Sequence, residues 1–165
     1  MNFSHSHRFA ATPDGVAAML ADPAFVQRRG AASGTGEPDV EVEGTAEDGF
    51  TVAIRQQVPS DTIPAEFRSF VGSRLSVRYT EVWEPPSGED RTGTFAVEIV
   101  GAPGHAAGSL ALVPDGEGSR FVATGAITVR VPLVGAMIEA AVKDAVVKGL
   151  EAELVVADAW LAGDR

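Results

Sequence analysis

The segment TVRVPLVGAMIEAAVKDAVVKGLEAELVVADAWLA, from Thr128 to Ala162, decides the fold. It begins as the alternating pattern of a strand, breaks at Pro132, and continues as a helical pattern from about Val134 to Leu161. A helix of that length spans about 42 Å. Its apolar stripe follows spacings of four and three residues, which indicates that it lies against a flat apolar surface; the stripe contains Ile138, Val142, Ala145, Gly149, Ala152, Val156 and Ala159.

Strand patterns separated by turn signals fill most of the chain before this helix. Short turns between successive strands indicate an antiparallel meander. The predicted strands are Asn2 to Phe9, Val40 to Thr45, Phe50 to Val58, Leu75 to Trp83, Thr92 to Val100, Gly108 to Val113 and Phe121 to Val131.

Two short helices are predicted between the first strand and the second. Each begins at a proline that follows an N-capping residue, so the first runs from Pro13 to Ala21 and the second from Pro23 to Arg29. Gly30 is predicted to end the second helix, and the stretch GAASGTGEP to form a flexible connection.

The order of elements predicts an α+β fold in which residues 1–165 form a single domain. A seven-stranded antiparallel sheet with one apolar face needs one covering layer. A helix of about 42 Å is long enough to cross such a sheet diagonally. We therefore expect a curved sheet wrapped around the C-terminal helix.

This arrangement resembles the START-like superfamily, also called SRPBCC, whose members have a helix-grip fold. The junction VRVPLVGAMIE (Val129 to Glu139), the strand LSVRYTEVW (Leu75 to Trp83) and the proline-containing short helix before that strand are similar to an uncharacterised actinobacterial branch of it. The resemblance implies a cavity between helix and sheet, which in characterised relatives holds lipids, sterols, polyketides or other apolar molecules. It implies no catalytic residue, because the superfamily shares no catalytic motif.

Charge and hydropathy restrict the partners. The chain carries 13 basic and 23 acidic residues, for a net charge of −10, so we expect neither nucleic acid nor an anionic membrane surface as a partner. No stretch approaches the roughly 20 uncharged apolar residues of a membrane span. The N-terminal residues also lack the basic start and apolar run of a secretory signal. These features predict a cytoplasmic protein without membrane insertion.

The usual catalytic and cofactor-binding motifs are missing. The sequence has no cysteine, which excludes thiol catalysis, thiolate metal sites and disulfides. It also has no nucleophile elbow, phosphate-binding glycine loop, dinucleotide fingerprint or H-E-x-x-H motif. We therefore expect no cofactor and no bound metal. An enzyme whose site is assembled from scattered strand positions stays open.

His5 and His7 are the most notable polar pair, because their spacing puts both imidazoles on one face of a strand. Glu81 shares a strand face with apolar residues and could also point inward. Three interpretations stand: a facial metal triad, a polar cluster that orients a ligand, or ordinary structural roles. In the last, the histidines face solvent and Glu81 pairs with Arg78 or Arg55 across the sheet.

Inward-facing positions on the strands and the long helix supply the predicted cavity wall. Gln56 is a further inward polar group that needs a hydrogen-bond partner, or is hydrated near its strand end. Tyr79 suits a ligand wall or the core, whereas we assign Trp83 to the core. The predicted wall contains Ile54, Tyr79, Phe95, Val97, Ala123, Gly125, Ile127, Val142, Ala145 and Gly149.

A short amphipathic helix interrupts the meander between Pro59 and Ser73, where Ile63, Phe67 and Phe70 share one face. It could be a gate over the cavity mouth, with Phe67 and Phe70 against the ligand, or a plug that closes the sheet permanently.

Three functional hypotheses follow. The first is a protein that binds a small, mostly apolar molecule such as a lipid, sterol or polyketide. The second is a cyclase- or aromatase-like enzyme, in which His5, His7 or Glu81 moves protons. The third is a protein-interaction module with a filled core. A cavity below roughly 300 Å³, too small for a drug-sized ligand, would exclude the first two and favour the third.

Overall fold

The strands form one antiparallel sheet in the order β1-β7-β6-β5-β4-β3-β2. A computed structural model describes residues 1–59, 61, 65, 68–71 and 74–165. Its strands are β1 Asn2–Phe9, β2 Thr35–Thr45, β3 Gly49–Pro59, β4 Arg74–Trp83, β5 Arg91–Ile99, β6 Gly104–Asp115 and β7 Gly118–Val129. Its helices are α1 Pro13–Leu20, α2 Pro23–Ser33, α3 Arg68–Val71 and α4 Gly135–Leu161. The predicted helix-grip architecture is confirmed.

The helices α1 and α2 begin as their capping residues predict. The Thr12 side chain accepts a hydrogen bond from the backbone N–H of Gly15 at 3.3 Å. The Asp22 carboxylate accepts one from the N–H of Ala24 at 2.9 Å. Each cap satisfies a backbone donor that the first turn of a helix leaves unpaired, and proline occupies the next position.

The predicted end of α2 at Gly30 is wrong, because the helix continues to Ser33 and β2 begins at Thr35. A Cβ atom at Gly30 would lie 3.0 Å from Pro38 Cγ and 3.2 Å from Ile54 Cγ2. Glycine at this position therefore lets the helix lie close to the sheet rather than ending it. The flexible connection predicted for residues 30–38 is also wrong, because α2 and β2 include all of these residues except Gly34.

The sheet is more extensive than the sequence pattern indicated. β6 begins at Gly104 instead of Gly108, and β2 begins at Thr35 instead of Val40. Glycine and alanine give the first residues of β6 little strand propensity, but pairing with β7 satisfies their backbone groups. β7 ends at Val129 instead of the predicted Val131.

The core lies under one half of α4. The only buried residues of this helix, which is described throughout, are Leu154, Ala157 and Trp160, near its C-terminal end. There the Trp160 ring contacts Phe25 of α2 edge-on, with 5.5 Å between centroids. The predicted stripe residues Ala152, Val156 and Ala159 are only partly buried. Because residues 135–153 contain no buried side chain, the first half of α4 does not pack tightly on the sheet.

Candidate functional site

A cavity of about 250 Å³ lies between the concave side of the sheet and the first half of α4. Its wall is largely apolar and comes from β1, β3 to β7, the end of α2, α4 and the turn between β5 and β6. The small side chains of α4 leave this space open. A Cβ atom built at Gly149 would meet nothing nearer than Ser33 Cβ, at 3.9 Å. Gly149 therefore adjoins free space and does not mark a close approach of helix and sheet.

Most of the predicted wall residues border this cavity. They are Tyr79, Phe95, Val97, Ala123, Ile127, Val142, Ala145 and Gly149. Gln56, predicted as a further inward polar group, also borders it. The alternation of inward and outward side chains on a strand identified those from the sheet, and the helical stripe identified those from α4. Ligand contact by these residues stays a prediction.

Two predicted wall residues lie elsewhere. Ile54 is 2% exposed and packs beneath Gly30 of α2, which covers that part of the sheet. Gly125 stands beneath the Phe95 ring, whose Cζ would lie 2.8 Å from a Cβ at that position. Gly125 therefore supports a wall residue without bordering the cavity.

The two histidines do not border the cavity. Both are half-buried on β1. The distance from His7 Nε2 to Oδ1 of Asp158, on α4, is 3.0 Å. Within the described ranges, no three histidine, aspartate or glutamate side chains are arranged to hold a metal ion, so the triad with Glu81 does not form. None of His5, His7 and Glu81, the proton-transfer residues of the enzyme hypothesis, therefore borders the cavity.

Glu81 is the centre of a buried polar cluster just behind the cavity wall. Its carboxylate is 2.7 Å from Nη2 of Arg29, and the two side chains are only 3% and 5% exposed. The Trp83 indole N–H donates to Glu81 at 3.2 Å, and the Tyr79 hydroxyl donates to its other oxygen. The pairing with Arg78 or Arg55 is therefore wrong, because an arginine of α2 reaches the sheet face that those outward-facing residues cannot.

The same cluster reaches the cavity through Ser33, Gln56, Tyr79 and Glu153, which border it. Gln56 donates from Nε2 to the Ser33 hydroxyl at 3.3 Å, and Glu153 lies 3.6 Å from Nη1 of Arg29. Gln56 is therefore bonded to protein through its amide nitrogen. Its Oε1 is buried and has no hydrogen-bond partner among the described residues.

Burial and charge shift the pKa values of this cluster in different directions. Burial acts to lower the pKa of Arg29, but the carboxylates of Glu81 and Glu153 outweigh it and raise that pKa. Burial, reinforced by the Glu81 charge, raises the pKa of Tyr79 well above its usual value. Burial also raises the pKa of Glu153, against the opposing effects of Arg29 and a hydrogen bond from Ser33. The arginine therefore stays charged and the phenol neutral at pH 7.

Sequence reasoning missed Arg29, Ser33 and Glu153. A signal for the first two was present, because Phe25, Arg29 and Ser33 follow one another at intervals of four along a helix face. Ending the helix at Arg29 concealed it. Glu153 follows Gly149 by four residues on the cavity side of α4, so the helical stripe that contains Gly149 could have identified it.

The predicted gate lies largely outside the described residues. Ile63 and Phe67 are not among them, and for Phe70 only the helical backbone of α3 is described. Of the helices within the described residues, none has the length and apolar character needed to span a bilayer.

Solved structures of low sequence identity share this fold. A Thermus thermophilus protein has a TM-score of 0.62 at 16% identity, covering 98% of this chain and 97% of that one. The Zhui aromatase/cyclase of Streptomyces sp. R1128 has a TM-score of 0.59 at 18% identity, covering 100% and 99%. A STAR-related lipid transfer protein of Xanthomonas axonopodis has a TM-score of 0.58 at 17% identity, covering 98% and 85%. The fold is thus that of the START-like superfamily, as the sequence resemblance implied.

Sequence relatives come from mycobacteria. Uncharacterized proteins of Mycobacterium tuberculosis and Mycobacterium bovis are each 32% identical to this chain over 104 residues. These matches span 61% of this chain and 60% of the length of each relative. The family described as "Protein of unknown function (DUF2505)" matches residues 4–161. This chain therefore belongs to the DUF2505 family.

Proposed function

We propose that this protein is a cytoplasmic binding protein that holds a small, mostly apolar molecule between the sheet and the first half of α4. The observation that carries the proposal is an apolar cavity of about 250 Å³ beside Gly149. A ligand that fills this space would contact the apolar wall and remove it from water.

The volume limits the size of the ligand. It lies below the roughly 300 Å³ at which pockets for drug-sized molecules begin, which excludes a sterol or a four-ring polyketide. By the threshold set from the sequence, this volume favours an interaction module with a filled core. The space beside Gly149 is unfilled, however, so we retain a binding function for smaller ligands. Smaller ligands remain, because an apolar cavity of about 150 Å³ in another protein binds benzene. By the same proportion, 250 Å³ holds about ten carbon atoms, as in naphthalene or a medium-length alkyl chain.

Replacing Gly149 with leucine tests the proposal. The leucine side chain would enter the free space, so we expect the Gly149→Leu protein to fold and its affinity for naphthalene to fall more than tenfold. Binding is measured by isothermal titration calorimetry, and folding by circular dichroism and urea denaturation. Leucine also has a better helix propensity than glycine by roughly 0.8 kcal/mol, so the variant should be at least as stable as the original protein.

Lys148→Leu is the matched control, because it introduces the same side chain on the exposed side of the same helical turn. This variant should bind naphthalene within about twofold of the original protein. Unchanged naphthalene binding by Gly149→Leu would contradict the proposal, as would an original protein that binds no apolar probe of this size.

A further inference from the structure

We infer that the cavity selects apolar ligands whose polar group is a hydrogen-bond donor, a hydroxyl or an amine, over ligands that end in a carboxylate. This inference rests on the proposed function and names its ligand class. It is carried by the polar side chains that border one end of the cavity, Ser33, Gln56, Tyr79 and Glu153. The adjoining walls from β5, β7 and α4 are apolar, so a ligand's polar group finds its partners at this end.

Among the residues that the structure describes, no cation at this end is free to receive a carboxylate. Arg29 does not border the cavity, and its terminal nitrogens face two carboxylates, Glu81 behind the wall and Glu153 in it. Nη2 is 2.7 Å from Glu81, and Nη1 is 3.6 Å from Glu153. One guanidinium therefore faces two carboxylates, and a third carboxylate from a ligand would be repelled.

The available donors are also engaged by protein groups. The Tyr79 hydroxyl donates its hydrogen to Glu81, and the Gln56 amide donates to Ser33 at 3.3 Å. Few N–H or O–H groups at this end are therefore available to donate a hydrogen bond to a ligand.

Glu153 supplies the acceptor. Among the described residues it is the carboxyl group that borders the cavity, and 19% of its side chain is exposed. Arg29 approaches it at 3.6 Å, whereas an ionised carboxylate offers about four acceptor positions. Burial raises the pKa of Glu153 because its charge is incompletely solvated, and a ligand hydroxyl or ammonium would improve that solvation.

Three ligands with one chain length and different polar groups test the inference: octan-1-ol, octylamine and octanoate. Their dissociation constants are measured by isothermal titration calorimetry at pH 7. We expect octanol and octylamine each to bind at least tenfold more tightly than octanoate. The alkyl chain is the same in all three, so the difference reports the polar group.

Glu153→Gln then assigns the preference to its residue, because glutamine keeps the size of the side chain and removes its charge. The variant should bind octylamine at least tenfold more weakly and octanoate more tightly than the original protein, while octanol changes by less than about threefold. Glu151→Gln makes the same chemical change on the exposed side of α4 and should leave all three affinities unchanged. If Glu153→Gln fails to fold, the affinities of the original protein for the three octyl ligands still test the inference.

Each alternative result has a definite meaning. Equal affinities for the three ligands would overturn the inference and leave the proposed function intact. The same holds if octanoate binds most tightly and its affinity is unchanged in Glu153→Gln, since its carboxylate would then lie toward His105, near the start of β6. If naphthalene binds and no octyl ligand does, the inference fails alone. If nothing binds, the proposed function fails with it.

Discussion

Replacing Arg29 with methionine is expected to lower the free energy of unfolding by about 3 to 5 kcal/mol. The substitution leaves the Glu81 carboxylate, in a residue only 2% exposed, without its cationic partner. Hydrogen bonds from Tyr79 and Trp83 remain, but neutral donors do not replace the lost charge. Urea denaturation, monitored by circular dichroism, measures the change in the free energy of unfolding.

Arg28→Met is the matched control, because this neighbouring arginine forms an exposed ion pair with Asp164. Such pairs contribute at most about 1 kcal/mol. The double variant Arg29→Met/Glu81→Leu should recover part of the lost stability, since it removes both buried charges together. A loss from Arg29→Met no greater than that from Arg28→Met would show that the buried pair does not stabilise the fold.

The architecture could be predicted because its signals are local. Alternation along each strand and the stripe of α4 each need only a window of neighbouring residues, and the caps before Pro13 and Pro23 need only a few. The antiparallel arrangement of the strands could then be predicted from the short turns between them. The same alternation placed Tyr79, Phe95 and Val97 on the concave face, where they border the cavity.

The polar cluster could not be predicted in the same way, because its members are distant in sequence. Arg29 and Glu81 are 52 residues apart, and nothing local indicates which strand α2 covers. A charged residue is assigned to solvent by default, since its burial is favourable only when a partner is present. The partner is visible only once the helix is placed on the sheet.

Replacing Gly108 with alanine is expected to lower the free energy of unfolding by about 3 kcal/mol. Gly108 pairs with Gly125 where β6 and β7 approach closely. A Cβ atom at Gly108 would lie 2.0 Å from the carbonyl oxygen of Thr124 and 2.5 Å from Gly125 Cα. Both contacts are with backbone, so the strands themselves would have to separate. Thermal and urea denaturation measure the loss.

Gly104→Ala is the matched control on the same strand, because its Cβ would meet only the Val129 side chain, at 3.3 Å, and more distant atoms. Its effect should stay below about 1 kcal/mol. Because Gly108 is also paired with Phe95 of β5, whose ring rests above Gly125, separating the strands would displace a wall of the cavity. The Gly108→Ala protein that remains folded should therefore bind naphthalene more weakly than Gly104→Ala. Equal stability of the two variants would contradict the prediction, because β6 and β7 would then accommodate a Cβ atom at Gly108 without separating.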